Sequence, residues 1–170
     1  MTTLKTSLFS LAIALFLLFS PVAKAQDAST ISVGGGITYG EKLEEIGLQL
    51  NGYYKLTDQI RVGGDFIYWL VDSPQGVSNT YFEINANAHY LFYQQNDLAF
   101  YGIGSLGLHY ASFEMTFMGQ KISDSDTEIG LGLGAGAEYN VGPVKLFAEP
   151  RLFLSGFDQF TFSFGVRYDL

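Results

Sequence analysis

Four groups of side chains in this sequence have types and spacings that chemistry could use. Glu83, Ser105 and His109 offer an acid, a nucleophile and a base, the set by which a hydrolase activates a serine. The run Asp124-Ser125-Asp126-Thr127-Glu128 alternates carboxylates and could hold Ca²⁺ through oxygen. Gly130, Gly132, Gly134 and Gly136 look superficially like a dinucleotide fingerprint. The fourth group is more diffuse: Lys55, Arg61, Asp65, Glu83, Glu128, Glu138, Lys145, Glu149, Arg151 and Arg167, charges of both signs spread along the chain.

What these residues can do depends on the elements that carry them. The glycine fingerprint needs a strand, a tight turn and a helix. Here the glycines instead continue a two-residue alternation, with Ile129, Leu131, Leu133, Ala135 and Ala137 in the other phase. The same alternation fills most of the chain and is plainest at 159–170, where Phe160, Phe162, Phe164, Val166, Tyr168 and Leu170 oppose Thr161, Ser163, Gly165, Arg167 and Asp169. Successive side chains of a strand point to opposite faces, so each such segment has one oily face and one small, polar or charged face.

Eight strands are expected, over 29–40, 45–56, 60–71, 80–93, 98–110, 127–141, 144–154 and 159–170. The pattern weakens where Ile67 and Trp69 fall in the polar phase and where Leu98, Ala99, Phe100 and Tyr101 are all apolar. Pro150 cannot donate to a ladder, which predicts a bulge or a missing bond. The connections at 57–59, 94–97 and 142–143 are short and fall on one side. Those at 72–79, with Pro74 and Gly76, and at 113–126 are long and fall on the other. The second of these reads as a hairpin extension with a polar tip at 121–126.

The N-terminus decides which side of these strands is oily. Lys5, the apolar run 8–19 and the small-x-small sequence Ala23-Lys24-Ala25 form a secretory signal over residues 1–25, too short in its apolar part to span a bilayer as a helix. No Cys is present, which excludes disulfides and thiolate metal sites. Loss of Lys5 and Lys24 with the leader takes the formal charge from −8 to −10 and argues against a nucleic-acid partner. The domain is then 26–170, one all-β unit.

A soluble barrel with an apolar interior, a periplasmic lipid carrier, would share the strand count. The polar face argues for the inverse arrangement. Lys55, Arg61, Lys145, Arg151 and Arg167 nearly cancel Asp65, Glu83, Glu128, Glu138, Glu149 and Asp169, amid Gly, Ser, Asn and Gln. That suits a narrow interior where charges must pair. Aromatics also gather near strand ends: Tyr39, Tyr68, Trp69, Phe82, Tyr110 and Phe160 at one end, Tyr54, Tyr90, Phe92, Phe100, Tyr139 and Tyr168 at the other. Two girdles at the headgroup levels are the expectation for an eight-stranded antiparallel up-and-down transmembrane β-barrel.

The Gly-rich segments Tyr101-Gly102-Ile103-Gly104 and 130–139, with the ending 164–170, resemble the small outer-membrane β-barrel proteins of Gram-negative bacteria, the OmpX-like and OmpA-transmembrane-domain type of the porin family. The resemblance covers the whole mature chain. It implies an integral cell-envelope protein of the outer membrane, in contact with lipid and lipopolysaccharide. It also implies a C-terminal signal read by the barrel-assembly machinery, carried here by Phe164, Val166, Tyr168 and Leu170, with Leu170 standing where Phe is commoner.

In such a barrel Glu83, Ser105 and His109 would face the lumen, where a lipid substrate has poor access, and His89 and His109 read better as interior polar filler. The 124–128 run lacks the central Gly and distal Glu of an EF-hand loop and reads as a solvated acidic segment. Glu138, Lys145, Glu149, Arg151 and Arg167 are expected to form a network that plugs the lumen, with Lys145 in reach of Glu138 across the turn at 142–143. The reading is a monomer with a structural or surface-interaction role, no cofactor, no metal and no catalysis. A narrow pore for ions or small solutes and a lipid A-modifying enzyme stand as alternatives.

Overall fold

The computed structural model describes residues 31–72, 77–117, 120–154 and 158–170. The leader at 1–25, the start of the first strand at Ser29, Pro74 and Gly76 of the third connection, and 155–157 lie outside the described residues. Eight strands follow one another: β1 (Ile31–Gly40), β2 (Glu45–Lys55), β3 (Ile60–Trp69), β4 (Val77–Gln95), β5 (Leu98–Phe117), β6 (Gln120–Val141), β7 (Val144–Leu154) and β8 (Gln159–Asp169). Each pairs antiparallel with its neighbour, and β1 closes the ring on β8 from Ser32↔Asp169 to Gly40↔Thr161. Closure matters because it leaves no strand edge inside the membrane span, where unpaired backbone groups could not find water.

The polarity of the ring is inverted. Leu50 is 67% and Leu133 64% exposed, whereas Arg151 and Arg167 are each 1% exposed. The core is therefore the lumen, and the apolar phase of every strand is the outer wall. Phe82 stacks on Tyr110 at 4.8 Å at the upper end of that wall, and Tyr93 lies 5.6 Å from Phe100 at the lower end.

The lower connections are tight. Asn96 adopts φ 51° in the β4–β5 turn and Gly142 φ 65° in the β6–β7 turn, conformations that Asn and Gly tolerate best. Just before the first of these, the β4–β5 register shifts between Leu91 and Tyr93, a bulge at Phe92 that leaves both Phe92 and Tyr93 exposed. At Pro150 the β6–β7 pairing lapses between Gly134↔Arg151 and Ala137↔Ala148 and resumes in the same register. The missing bond expected at that proline is thus observed, without a bulge.

Three expectations are corrected. The segment 121–126 is strand, not tip, because the β5–β6 ladder runs on from Leu98↔Tyr139 to Phe117↔Gln120. Its hydrogen bonds come from β5, and Lys121 bridges Glu114 at 2.8 Å, so no apolar face is required to hold it. Likewise β4 already begins at Val77, inside the stretch read as loop. Trp69 does not belong to the upper girdle. It is 2% exposed and points into the barrel, where its indole N–H donates to Glu83 Oε1 at 3.0 Å.

Candidate functional site

The lumen is filled at mid-height by three arginines and the carboxylates that face them. Arg167 on β8 donates to Glu138 Oε1 and Glu149 Oε1, both at 2.6 Å, to Tyr101 Oη at 2.9 Å and to Asn51 Oδ1 at 3.0 Å. Arg61 on β3 donates to Glu138 Oε2 at 2.8 Å and through Nε to His89 Nδ1 at 2.9 Å. Arg151 on β7 donates to Asp65 Oδ2 at 2.7 Å, and its Nη2 lies 4.0 Å from Glu149. Asn85 and Asn87 donate to the two oxygens of Asp65 at 2.7 and 2.6 Å. Buried charges are tolerated only when paired and hydrogen-bonded in this way.

Aromatic rings fill the space between the charges. The Arg167 guanidinium sits 3.9 Å from the Phe147 centroid and 4.7 Å from that of Tyr53, and Arg61 lies 4.4 Å from that of Tyr101. His89 stacks on Tyr101 at 4.8 Å. The inward glycines of β6 make room for these groups. A Cβ on Gly136 would overlap the Tyr101 ring, and one on Gly132 would come within 2.8 Å of Phe153. Phe147 and Phe153 share the phase of Lys145, Glu149 and Arg151, so strict alternation alone would have placed them inside.

The other charged residues stand apart from this cluster. Lys145 meets Asp169 at 2.6 Å on the lower rim rather than Glu138, which corrects the expected pairing. The β6–β7 register explains it: Glu138 lies opposite Phe147 and Lys145 opposite Asn140, while Arg61 and Arg167 reach Glu138 from across the ring. Lys55 bridges the exposed Asp58 at 2.8 Å and, by hydrogen bond and charge, holds its carboxyl below the usual Asp value. Glu83 lies higher, with Trp69, Gln159 and His109 about one carboxyl oxygen, and Glu128 is half-buried at the upper mouth.

Glu83 and His109 approach to 3.2 Å, but the Ser105 hydroxyl donates to Asn87 Oδ1 at 2.6 Å. The three are not assembled as a charge-relay set. Among the described residues no group of carboxylates or histidines is close enough to hold a metal ion, the 124–128 run included. Cavities open at both ends of this cluster. One of about 150 Å³ opens below, lined by Lys55, Arg61, Glu138 and Lys145 among others. One of about 190 Å³ opens above, lined by Leu43, Trp69, Glu83, His109, Asp126 and Glu128 among others. Between them lie the fully buried Arg151, Arg167, Tyr101 and Phe147.

A family model for the outer membrane protein beta-barrel domain matches residues 10–170. The chain belongs to that family. It is an integral outer-membrane barrel, and its apolar wall contacts membrane lipid. Similar solved structures include Neisserial surface protein A, at 21% identity and TM-score 0.60 over 85% of this chain and 100% of that one. They also include Ail, the attachment invasion locus protein of Yersinia pestis, at 20% identity and TM-score 0.58 over 84% and 99%. A major outer membrane protein from Thermus thermophilus aligns at 14% identity and TM-score 0.60 over 84% and 99%. These likenesses establish the shared fold. No curated protein sequence matches.

Proposed function

We propose that this barrel is a non-catalytic envelope protein that acts through a sheet standing above the membrane, with its lumen closed to solutes by the arginine–carboxylate cluster. The observation that carries the reading is the unequal height of the strands. β6 pairs with β7 only up to Leu131↔Leu154, and β3 leaves β4 at Trp69↔Tyr81, while the β5–β6 ladder continues to Phe117↔Gln120. Residues 120–130 of β6 therefore have β5 as their only strand neighbour among the described residues, and their second side offers backbone donors and acceptors to another chain. Protected edges are the rule in monomeric sheets, and an open one is a template for strand addition.

Charge narrows the partner. At the upper end Glu41, Glu44, Glu45, Asp72, Glu114, Asp124, Asp126, Glu128 and Asp158 outweigh Lys42 and Lys121, which favours a basic partner and disfavours sulfated polysaccharide. Ail is known in complex with a heparin analogue; the acidic upper end of the present barrel points the other way. The ending Phe164, Val166, Tyr168 and Leu170, all outward-facing, suits recognition by the assembly machinery.

Two measurements test the proposal. Replacing 113–126 by a short turn removes most of the exposed β6 edge and is expected to abolish attachment of expressing cells to a basic protein-coated surface while the barrel still folds. Unchanged attachment refutes the interaction role. In planar bilayers the purified protein is expected to give no steady conductance, and stable pores would refute the plug.

A further inference from the structure

The upper cavity has features that neither the plug nor the raised sheet uses. Glu83 is 2% exposed, and its Oε1 accepts from Trp69 Nε1 at 3.0 Å and Gln159 Nε2 at 3.3 Å. Glu83 lines the upper cavity, and its buried Oε2 accepts no hydrogen bond among the described residues. The arginines are engaged lower down, with Glu138, Glu149 and Asp65, so none of them meets Glu83. A buried carboxylate oxygen lacking a donor is costly, and a cationic donor that enters the site removes that cost.

We propose that this mouth binds a primary alkylammonium group, the ammonium on Glu83 and the alkyl stem against Trp69 and Leu43. Leu43 comes from the β1–β2 turn and Asp126 and Glu128 from β6, on the opposite side of the ring, so the cavity spans the whole mouth. Asp126 and Glu128 continue the inward phase of β6 above Gly130 and raise the local concentration of cations. The carboxylates are too dispersed to chelate a metal ion. An ammonium donates its three hydrogen bonds separately and gains from the indole face, and its methylenes suit an apolar lining that a hydrated metal would not. A volume of about 190 Å³ admits a short chain and excludes drug-sized ligands, which need roughly 300 Å³ or more. The same chemistry occurs in free polyamines and in the lysine side chain of a partner protein.

Trp69 is the only tryptophan of the chain, so its emission reports on this site alone. The folded barrel in detergent is titrated with n-pentylammonium, spermidine and N-acetyl-lysine amide, with n-pentanol and sodium chloride at matched ionic strength as controls. A saturable change is expected with the ammonium probes only, weakened at least tenfold by Glu83→Gln and several-fold by the paired change Asp126→Asn, Glu128→Gln. Tighter binding of spermidine assigns the site to free polyamines, and tighter binding of the lysine derivative assigns it to a partner's side chain. Should Glu83→Gln fail to fold, the paired variant decides. The proposal is overturned if no ammonium probe saturates, if pentanol binds as well, or if the variants that fold bind like the parent.

Discussion

Replacing Arg167 by Leu is expected to be the most damaging single change in the lumen. Its guanidinium makes the shortest contact to Glu149 among the described residues, at 2.6 Å, and without it Glu149 keeps the Tyr101 hydroxyl at 2.8 Å and Arg151 at 4.0 Å. Glu138 fares better, because Arg61 still holds its other oxygen at 2.8 Å. The damage therefore concentrates on one fully buried carboxylate. Removing one partner of a buried pair costs about 3–5 kcal/mol, so a loss near 4 kcal/mol, roughly a thousandfold in the folding equilibrium, is expected. Arg167→Leu combined with Glu149→Leu removes both charges and sets two aliphatic chains beside Phe147 and Tyr101, and it should recover at least about 2 kcal/mol of that loss. Urea unfolding in lipid vesicles, followed through Trp69 emission, measures all three proteins at a common slope. A cost under about 1 kcal/mol for Arg167→Leu, or a double variant as unstable as the two singles added together, would show that the ion pairs do not hold the lumen together.

Gly136→Ala drives a methyl into the Tyr101 ring and should cost about 1–3 kcal/mol in the same unfolding assay, whereas Gly102→Ala, with nothing within 4 Å, should cost far less. Leu133→Arg, on the lipid-facing wall, should destabilise the barrel by about 2–4 kcal/mol in a bilayer if it lies near the midplane, and no loss would contradict the inverted polarity. The Asp58 carboxyl, lowered from 3.8 by Lys55, adds stability above the ordinary Asp value, and this is lost as pH falls through the lowered folded value. In Lys55→Met the NMR titration of Asp58 should return to the ordinary value.

The strand count, the three short lower turns and the inward phase of Arg61, Asp65, Glu138, Glu149, Arg151 and Arg167 were all legible in the sequence, because a period of two needs no knowledge of neighbours. Which charges touch was not. Lys145 and Glu138 looked adjacent across a tight turn, yet contacts in a closed ring depend on register around the whole circumference, and arginines from β3 and β8 arrive first. Trp69 lay in the inward phase all along. Its closeness to a strand end suggested a girdle, and only the buried partner of its indole N–H settles its direction. The raised part of β6 escaped notice because a strand in water, held by one neighbour, carries no oily face to announce it.

The joining of β1 to β8 has a kinetic corollary. Thr38 and Ser163, hydroxyl to hydroxyl at 2.8 Å, are 125 positions apart. Bringing such distant segments together costs about 4 kcal/mol of chain entropy from the logarithm of the separation alone, before any contact at the seam can form. The other seven pairings zip locally through their turns. Chain entropy therefore favours forming the seam last, and a chain halted before its final segment emerges is a curled sheet with two raw margins.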